Sequence, residues 1–476
     1  MSFLHQALRV LIPSVLTVGF LSPDAQALDF DWQGQFRAET NTIFGYSNAA
    51  AGAATGYSVP LNGDTPANFQ NLFLSLKPRI LVNDNVSIQG DLWFNAPDTG
   101  LFGSNAPTSP SFSNTTTGNG VLSARSFFTE VATDFGTFRI GRMPLQYGLG
   151  LVWNSDSGRR SRLPSYGDAM TLVTKLGAFK FSPIFVKYAQ QGPGTTNPAL
   201  NSGITDYALS LSYTNDDEQL DVGLLFLRRL AGQNSGVIDP FGTAVAPAPL
   251  TTAGYAYNLW DFYAKKKSGI FTVAAEVPIA SGLVASQVYS SVAGAVKARA
   301  DLSENLNVKL NVGSASGQAN GDASKFTAFY FHPDYRPGLL MFNYNYLNIA
   351  NGSGSFYNNP LTNARFLSLG GEYTSGKFSH EVLGLFAMAD QTADGVNRYF
   401  NTMSGHYQTD AGGIAQEKGL GFELDYSLGY DWDEFTRFGI DTGLYFPGAF
   451  YKFSGSSTPN TIKTVFGVQF GMTVKF

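Results

Sequence analysis

The chain has 476 residues, a formal net charge of -5, no cysteine, 14% aromatic residues and only 14% charged residues. Soluble globular proteins carry roughly 25% charged residues, so a string of soluble domains is disfavoured, while a mean hydropathy of -0.06 is too polar for a bundle of membrane helices. The acidic balance leaves no basic footprint for nucleic acid, and without cysteine there are no disulfides and no thiolate chemistry.

The N-terminus comes first. Arg9 precedes an apolar stretch, 10–21, and Ala25-Gln26-Ala27 supplies a small-x-small site. This is the pattern of a secretory signal cleaved after Ala27, which makes 1–27 a leader and 28–476 a single domain. Beyond it no run reaches the ~18 apolar residues of a spanning helix.

From residue 29 onward the chain alternates with a period of two. Leu306, Val308, Leu310 and Val312 oppose Asn307, Lys309 and Asn311. Leu420, Phe422, Leu424, Tyr426 and Leu428 oppose Gly421, Glu423, Asp425 and Ser427. Phe466, Val468, Phe470, Met472, Val474 and Phe476 oppose Gly467, Gln469, Gly471, Thr473 and Lys475. Successive strand side chains point to opposite faces, so each segment has one apolar and one polar surface. A soluble sandwich and a transmembrane barrel both fit that pattern. Many runs are longer than the mode of about 5–6 residues for soluble strands and suit the ~9–11 residues of a tilted membrane strand. Together with the leader and the aromatic content, this favours an all-β, antiparallel transmembrane barrel with its apolar face outward. In hydrocarbon only a closed sheet satisfies every backbone group.

Short polar turns fall at 83–85, 134–136, 176–178, 215–218, 267–269, 303–305, 375–377 and 431–434. Longer linkers lie near 47–67, 98–120, 149–167, 191–203, 231–253, 281–286, 315–362, 390–416 and 447–461. Outer-membrane barrels have short periplasmic turns, long extracellular loops and an even strand number, so eight turns and nine loops predict 18 strands with both ends periplasmic. Sixteen strands result if a weak region is divided differently. The stretch 339–346 has strand character, and parity leaves it in a loop.

A barrel of this width encloses an aqueous channel whose selectivity comes from charges at a constriction and from loops folded inward. The polar parity places Arg37, Glu39, Glu276, Lys297, Arg299, Asp301, Lys309, Glu372, Glu423, Asp425, Arg437 and Asp441 on the pore wall. Both signs occur, as on the wall of a general pore or in a lumen plugged by mutual pairing. The linker 154–168 carries Asp156, Arg159, Arg160, Arg162 and Asp168. Folded inward it is a constriction that attracts anions, because Arg is always charged and fits carboxylate and phosphate. Folded outward it is a solvated loop that meets lipopolysaccharide phosphates. The linker 315–362 is too apolar for a bare exposed loop and is expected inside the barrel mouth or against a neighbouring subunit. Its His332, Asp334 and Arg336 either form a gate or brace the loop.

Enzyme signatures are missing. His332, His380 and His406 lie in separate segments without metal-ligand spacing, and no nucleophile elbow, phosphate loop or His-Glu-x-x-His occurs. No catalytic, metal or cofactor site is assigned.

Gly141-Arg142, following Asp134-Phe135-Gly136-Thr137-Phe138-Arg139-Ile140, is similar to the glycine-arginine strand of many Gram-negative outer-membrane porins, which implies that Arg139 and Arg142 belong to the pore wall. Alternation groups Arg142 with Phe138 and Ile140, so a bulge is needed to turn it inward. Tyr445-Phe446-Pro447-Gly448-Ala449-Phe450-Tyr451, with the 18-strand count, resembles the alginate-export family, which implies export of an anionic polysaccharide through a basic lumen. The lumen inferred here is mixed in sign. Phe476 resembles the terminal signal read by the barrel-assembly machinery. The porin resemblance implies an outer-membrane location, contact with outer-membrane lipid and lipopolysaccharide, passive movement of small polar solutes, and a homotrimer. A substrate-specific or polysaccharide-export channel and a structural or adhesive barrel are the alternatives.

Overall fold

The computed structural model describes residues 29–45, 66–95, 101–102, 122–155, 158, 160–188, 204–231, 254–284, 287–318, 324–346, 349, 356–396, 399–401, 406–408, 413–454, 457 and 459–476. The expected leader, 1–27, lies outside them, as do Asp156 and Arg159.

Eighteen long strands form the wall. In chain order they are β1 (Asp29–Phe44), β2 (Ala67–Asn83), β3 (Val86–Phe94), β4 (Leu122–Thr133), β5 (Gly136–Pro144), β6 (Tyr166–Leu176), β7 (Phe179–Lys187), β8 (Thr205–Asn215) and β9 (Leu220–Ala231). The second half comprises β10 (Tyr255–Ser268), β11 (Phe271–Val284), β12 (Gln287–Asp301), β13 (Leu306–Ala315), β14 (Ala364–Ser375), β15 (Phe378–Ala389), β16 (Gly419–Asp431), β17 (Thr436–Pro447) and β18 (Val465–Lys475). Each pairs antiparallel with its sequence neighbours, and β1 pairs with β18 from Gln35↔Lys475 to Phe44↔Phe466. Beyond that ladder, Gly34 and Phe476 exchange two backbone hydrogen bonds of 2.7 and 3.0 Å. The sheet is therefore closed and has no edge, the arrangement a hydrocarbon surrounding requires.

The expected 18 strands and eight short turns are all present. The linker expected at 281–286 is shorter: β11 runs through most of it, to Val284, and β12 begins at Gln287. Alternation continues there through buried Val284 and Tyr289 against exposed Leu283 and Val288, so both strands extend until their side chains cease to have a wall. The 339–346 stretch forms no strand and lies among turns inside the barrel.

The outward parity is apolar and exposed: Val222, Trp260, Val277, Val296, Leu369 and Phe470 are examples from around the wall. At the turn end, exposed Phe135, Phe179, Phe271, Trp432, Phe435 and Phe476 mark a girdle of the kind that sits at a membrane–water boundary.

The inward parity is not uniformly polar. Toward the loop end Ile43, Phe69, Leu225, Leu227 and Leu259 face inward and are buried. They belong to one buried apolar cluster with residues of both inward segments, Tyr147 and Leu151 on one side and Phe331, Leu339, Leu340, Met341, Tyr357 and Leu361 on the other, the last six each at most 2% exposed. An apolar loop folded into a lumen needs an apolar wall to remove it from water. Phe69 supplies part of it, with ring centroids 5.1 Å from Phe356 and 6.3 Å from Tyr344 and Tyr357.

Candidate functional site

The lumen narrows where two loops meet: loop A, 145–165, between β5 and β6, and loop B, 316–363, between β13 and β14. Buried carboxylates that collect backbone amides fix their positions.

Loop A enters on an apolar face made of Leu145, Tyr147, Leu151 and Trp153. Gly148 and Gly150 have φ of +52° and +86°, a left-handed conformation that glycine adopts without steric penalty. The resulting turn aims the amides of Leu149 and Leu151 at the Glu276 carboxylate, Leu151 N–H at 3.1 Å. Successive N–H groups pointing one way make an anion nest, here filled by a wall residue. Tyr147 Oη–H also donates to the Asp261 carbonyl at 3.1 Å.

Loop B is held in the same manner. Glu423 accepts from the amides of Leu339, Leu340 and Met341 at 2.7, 2.6 and 2.6 Å, and Asp425 accepts from Leu339 at 3.0 Å. Gly338 permits this approach: a Cβ there would lie 2.7 Å from Leu385 Cδ2 and 3.0 Å from Glu423 Oε1.

Asp334 of loop B then clasps loop A. Its carboxylate accepts from Ser161 Oγ at 2.9 Å, Arg162 N–H at 3.0 Å and Leu163 N–H at 2.9 Å, and pairs with Arg336 at 2.8 Å. His332 forms a second clasp. Asp334 N–H donates to its Nδ1 at 3.2 Å, so the proton resides on Nε2, 2.9 Å from Ser165 Oγ. Burial lowers the His332 pKa to about 4. Two arginines reach from loop A to the wall: Arg162 to Glu39 at 2.6 Å and Arg160 to Asp441 at 3.2 Å. Burial works against the Arg160 charge, but Asp441, Asp425 and Glu381 more than offset it and hold its pKa above the usual value. Arg37 donates to the Ser161 carbonyl at 3.0 Å.

On the turn side of these loops the lumen is open and polar. One cavity of about 630 Å³ touches Gln35, Lys77, Arg79, Glu130, Arg139 and Tyr166. A second, of about 430 Å³, lies along Glu372, Glu381, Arg437 and Lys475. A third, of about 560 Å³, borders Lys297, Asn311, Tyr335 and Arg336. Charges on this wall are mostly paired: Arg139–Glu130 at 2.6 Å, Lys309–Glu372 at 2.7 Å and Arg437–Asp431 at 2.8 Å. Among the described residues no group of three or more His, Asp or Glu is placed to hold a metal.

The sequence-derived wall residues divide into two sets. Arg37, Glu39, Glu423, Asp425 and Asp441 face inward but are buried beneath the loops, at most 5% exposed. Arg139, Lys297, Arg299, Asp301, Lys309 and Arg437 face the open half. Arg142 and Asp168 are corrected: they form an ion pair of 2.7 Å on the outer face, with side chains 40% and 49% exposed. No bulge intervenes in the β4–β5 ladder, so Arg142 stays on the parity of exposed Ile140 and opposite exposed Phe127. Asp168 likewise shares its face with exposed Met170, while Ala169 is buried. Of the constriction set, Arg160 and Arg162 are brought to the waist, and His332, Asp334 and Arg336 join them there. The clasp through Ser161 and Leu163, and the role of Glu276 in holding 149–151, were not anticipated; the apolar run Leu145, Tyr147, Leu151, Trp153 was the signal that loop A turns inward.

No protein-family model and no curated protein matches the sequence. Among solved structures, the chain is similar to Pseudomonas aeruginosa OccK9 (OpdG), at 12% identity and TM-score 0.53 over 94% of this chain and 98% of that one. It is similar also to P. aeruginosa OccK2 (OpdF), solved in complex with glucuronate, at 10% identity and TM-score 0.51 over 94% and 98%. Vibrio cholerae OmpT aligns at 11% identity and TM-score 0.40 over 95% and 99%. The chain thus has the closed, 18-stranded antiparallel fold of the outer-membrane porins.

Proposed function

We propose that the protein is a porin of the Gram-negative outer membrane, exported by the 1–27 leader, that lets small polar solutes pass passively and performs no catalysis and holds no cofactor. The observation that carries this reading is the lumen: a closed wall with an open, mixed-charge half, narrowed by two loops fastened to the wall. The test is purified protein in planar bilayers. Discrete ohmic steps are expected, smaller than an unobstructed barrel of 18 strands would give, and a barrel that seals the bilayer sinks the reading in favour of a structural role.

A substrate-specific channel is the second reading. Arg160, one-third exposed where loop A meets the wall, places a cation beside the waist, which favours a small anion, and a protein of similar fold was crystallised with glucuronate. Saturable block of current by glucuronate supports this narrower reading, and block by longer oligouronates would extend it toward the alginate-export type. Current that stays linear in glucuronate leaves the general porin. The assembly proposed is a homotrimer, as the porin resemblance implies; a native mass of one chain counts against it.

A further inference from the structure

We propose that the outer face of β5–β9, near its loop end, binds the phosphorylated headgroup of an outer-leaflet glycolipid through Arg142, Lys187 and Arg228. The proposal rests on the reading of this barrel as an outer-membrane protein.

The residues are adjacent by register. Arg142 stands opposite Asp168, and Asp168 opposite Lys187. Two strands further, Arg228 stands opposite Tyr207, itself two residues along β8 from the partner of Lys187. With strands about 4.8 Å apart, Arg142 and Lys187 lie about 10 Å apart, and Lys187 and Arg228 roughly 12 Å apart. All share the outward parity, and directly toward the turn end that parity continues as exposed Ile140, Met170, Phe185, Trp260 and Ile279. Charges thus stand at the rim of a greasy band. A lipid with phosphates on its headgroup and acyl chains below matches that order of groups.

The cations exceed their counter-ions. Asp168 is engaged by Arg142 through two hydrogen bonds of 2.7 and 3.0 Å. Arg228 donates to Asn258, a neutral amide, at 3.4 Å, and Lys187 stands exposed beyond Asp168. Elsewhere the loop end of the outer face is occupied by exposed apolar groups, among them Phe44, Phe94, Val288, Phe446 and Phe466. Its other arginine, Arg365, is neutralised by Asp390 at 2.5 Å. Among the described strand residues the excess positive charge is therefore confined to one arc of the wall.

A second copy of this chain is a poorer occupant. Among the described strand residues on the loop-end outer face, the carboxylate is Asp168, already held by Arg142. Among the described strand residues that surface offers no carboxylate beyond Asp168 to meet Lys187 and Arg228, whereas phosphates of the outer leaflet supply that negative charge. Cations at an anionic membrane surface each contribute on the order of fivefold to binding.

The experiment uses folded protein stripped of lipid in detergent. It is titrated with diphosphorylated lipid A and with dephosphorylated lipid A, and bound lipid is read by native mass spectrometry. The parent is expected to retain the phosphorylated form preferentially. A variant carrying Lys187→Gln and Arg228→Gln is expected to bind about thirtyfold more weakly, and Lys77→Gln, which alters a lumen cation, to bind as the parent does. Arg228→Lys keeps the charge and is expected to bind nearly as the parent does, which separates charge from misfolding. Equal affinity of parent and double variant overturns the proposal, as does equal binding of the two lipid forms. Displacement by inorganic phosphate at comparable concentration makes this a free-anion site and overturns it too. A changed oligomeric state with lipid binding intact assigns the patch to a subunit interface instead. Conductance is recorded in parallel: a lipid-binding barrel that fails to conduct sinks the channel reading alone.

Discussion

The two halves of the lumen are built from one alternating wall, yet they behave as different materials. At the loop end, inward residues such as Leu225, Leu227 and Ile43 are at most 1% exposed and share one buried apolar cluster with both inward loops, as in a protein core. At the turn end, inward residues are charged, partly solvated and paired across strands, as Lys309 is with Glu372 and Glu381. Removing a buried partner leaves an unpaired polar group without water, whereas removing an exposed one leaves a group that water rescues. Energetic leverage should therefore be concentrated in the filled half, and control of ion passage shared with the open one.

The strongest way to break that contrast is Asp334→Ala, which strips three loop A donors and Arg336 of their acceptor. Loss of a buried charged partner costs about 3–5 kcal/mol. The expected result is a barrel that still resists dissociation in cold detergent but shows larger, noisier conductance and earlier proteolysis of loop A. Unaltered conductance and proteolysis would show that the clasp is ornamental. Next comes acid. His332 titrates at 6.5 when free and at about 4 when buried. A lowered folded pKa means that the undocked state binds the proton more readily, so docking is fully stable above about 6.5 and weakens as pH falls from there toward 4. Channel openings are expected to lengthen over that window, and His332→Asn to flatten the dependence; a parent profile without change from pH 7 to 4 refutes it. Glu423→Gln is expected to act third, because one carbonyl oxygen still accepts from two of three amides. Loss of about 1–3 kcal/mol should appear as a lower melting point of the loop-dependent unfolding step. The smallest effect belongs to the open half. Arg437→Gln, removing a part-exposed pair, is expected to change stability by less than about 1 kcal/mol while shifting reversal potential toward cations. A stability loss as large as that of Asp334→Ala would erase the distinction between the halves.

Much of the wall was readable from alternation, because a strand in a closed sheet must present one face to lipid and the other to the lumen. The turns were readable for the same reason: polar punctuation such as Asn83-Asp84-Asn85 separates the single apolar parity of one strand from that of the next. What alternation does not encode is a third environment. Leu225 and Leu227 stand on the inward parity, where alternation alone expects polar groups, and are buried in the apolar cluster that the inward loops complete. Arg142 shows the reverse: a glycine-arginine pair suggested an inward arginine, while the uninterrupted ladder with Phe127 and Phe128 turned it outward. The waist itself was half legible. Its charges stood out, but the amides that bind Glu276, Asp334 and Glu423 belong to the backbone and leave no trace in composition.

The junction of β1 with β18 has a kinetic consequence. It unites the two ends of the described chain, so none of its hydrogen bonds forms until the last strand has been delivered to the first. Every earlier state is an open ribbon with two adhesive margins, competent to pair with any neighbouring strand. Non-local pairings of this kind make folding slow, and here the slowest contact is also the one that seals. Weakening the Gly34–Phe476 exchange is thus expected to lengthen the lifetime of the unsealed ribbon more than it destabilises the finished cylinder.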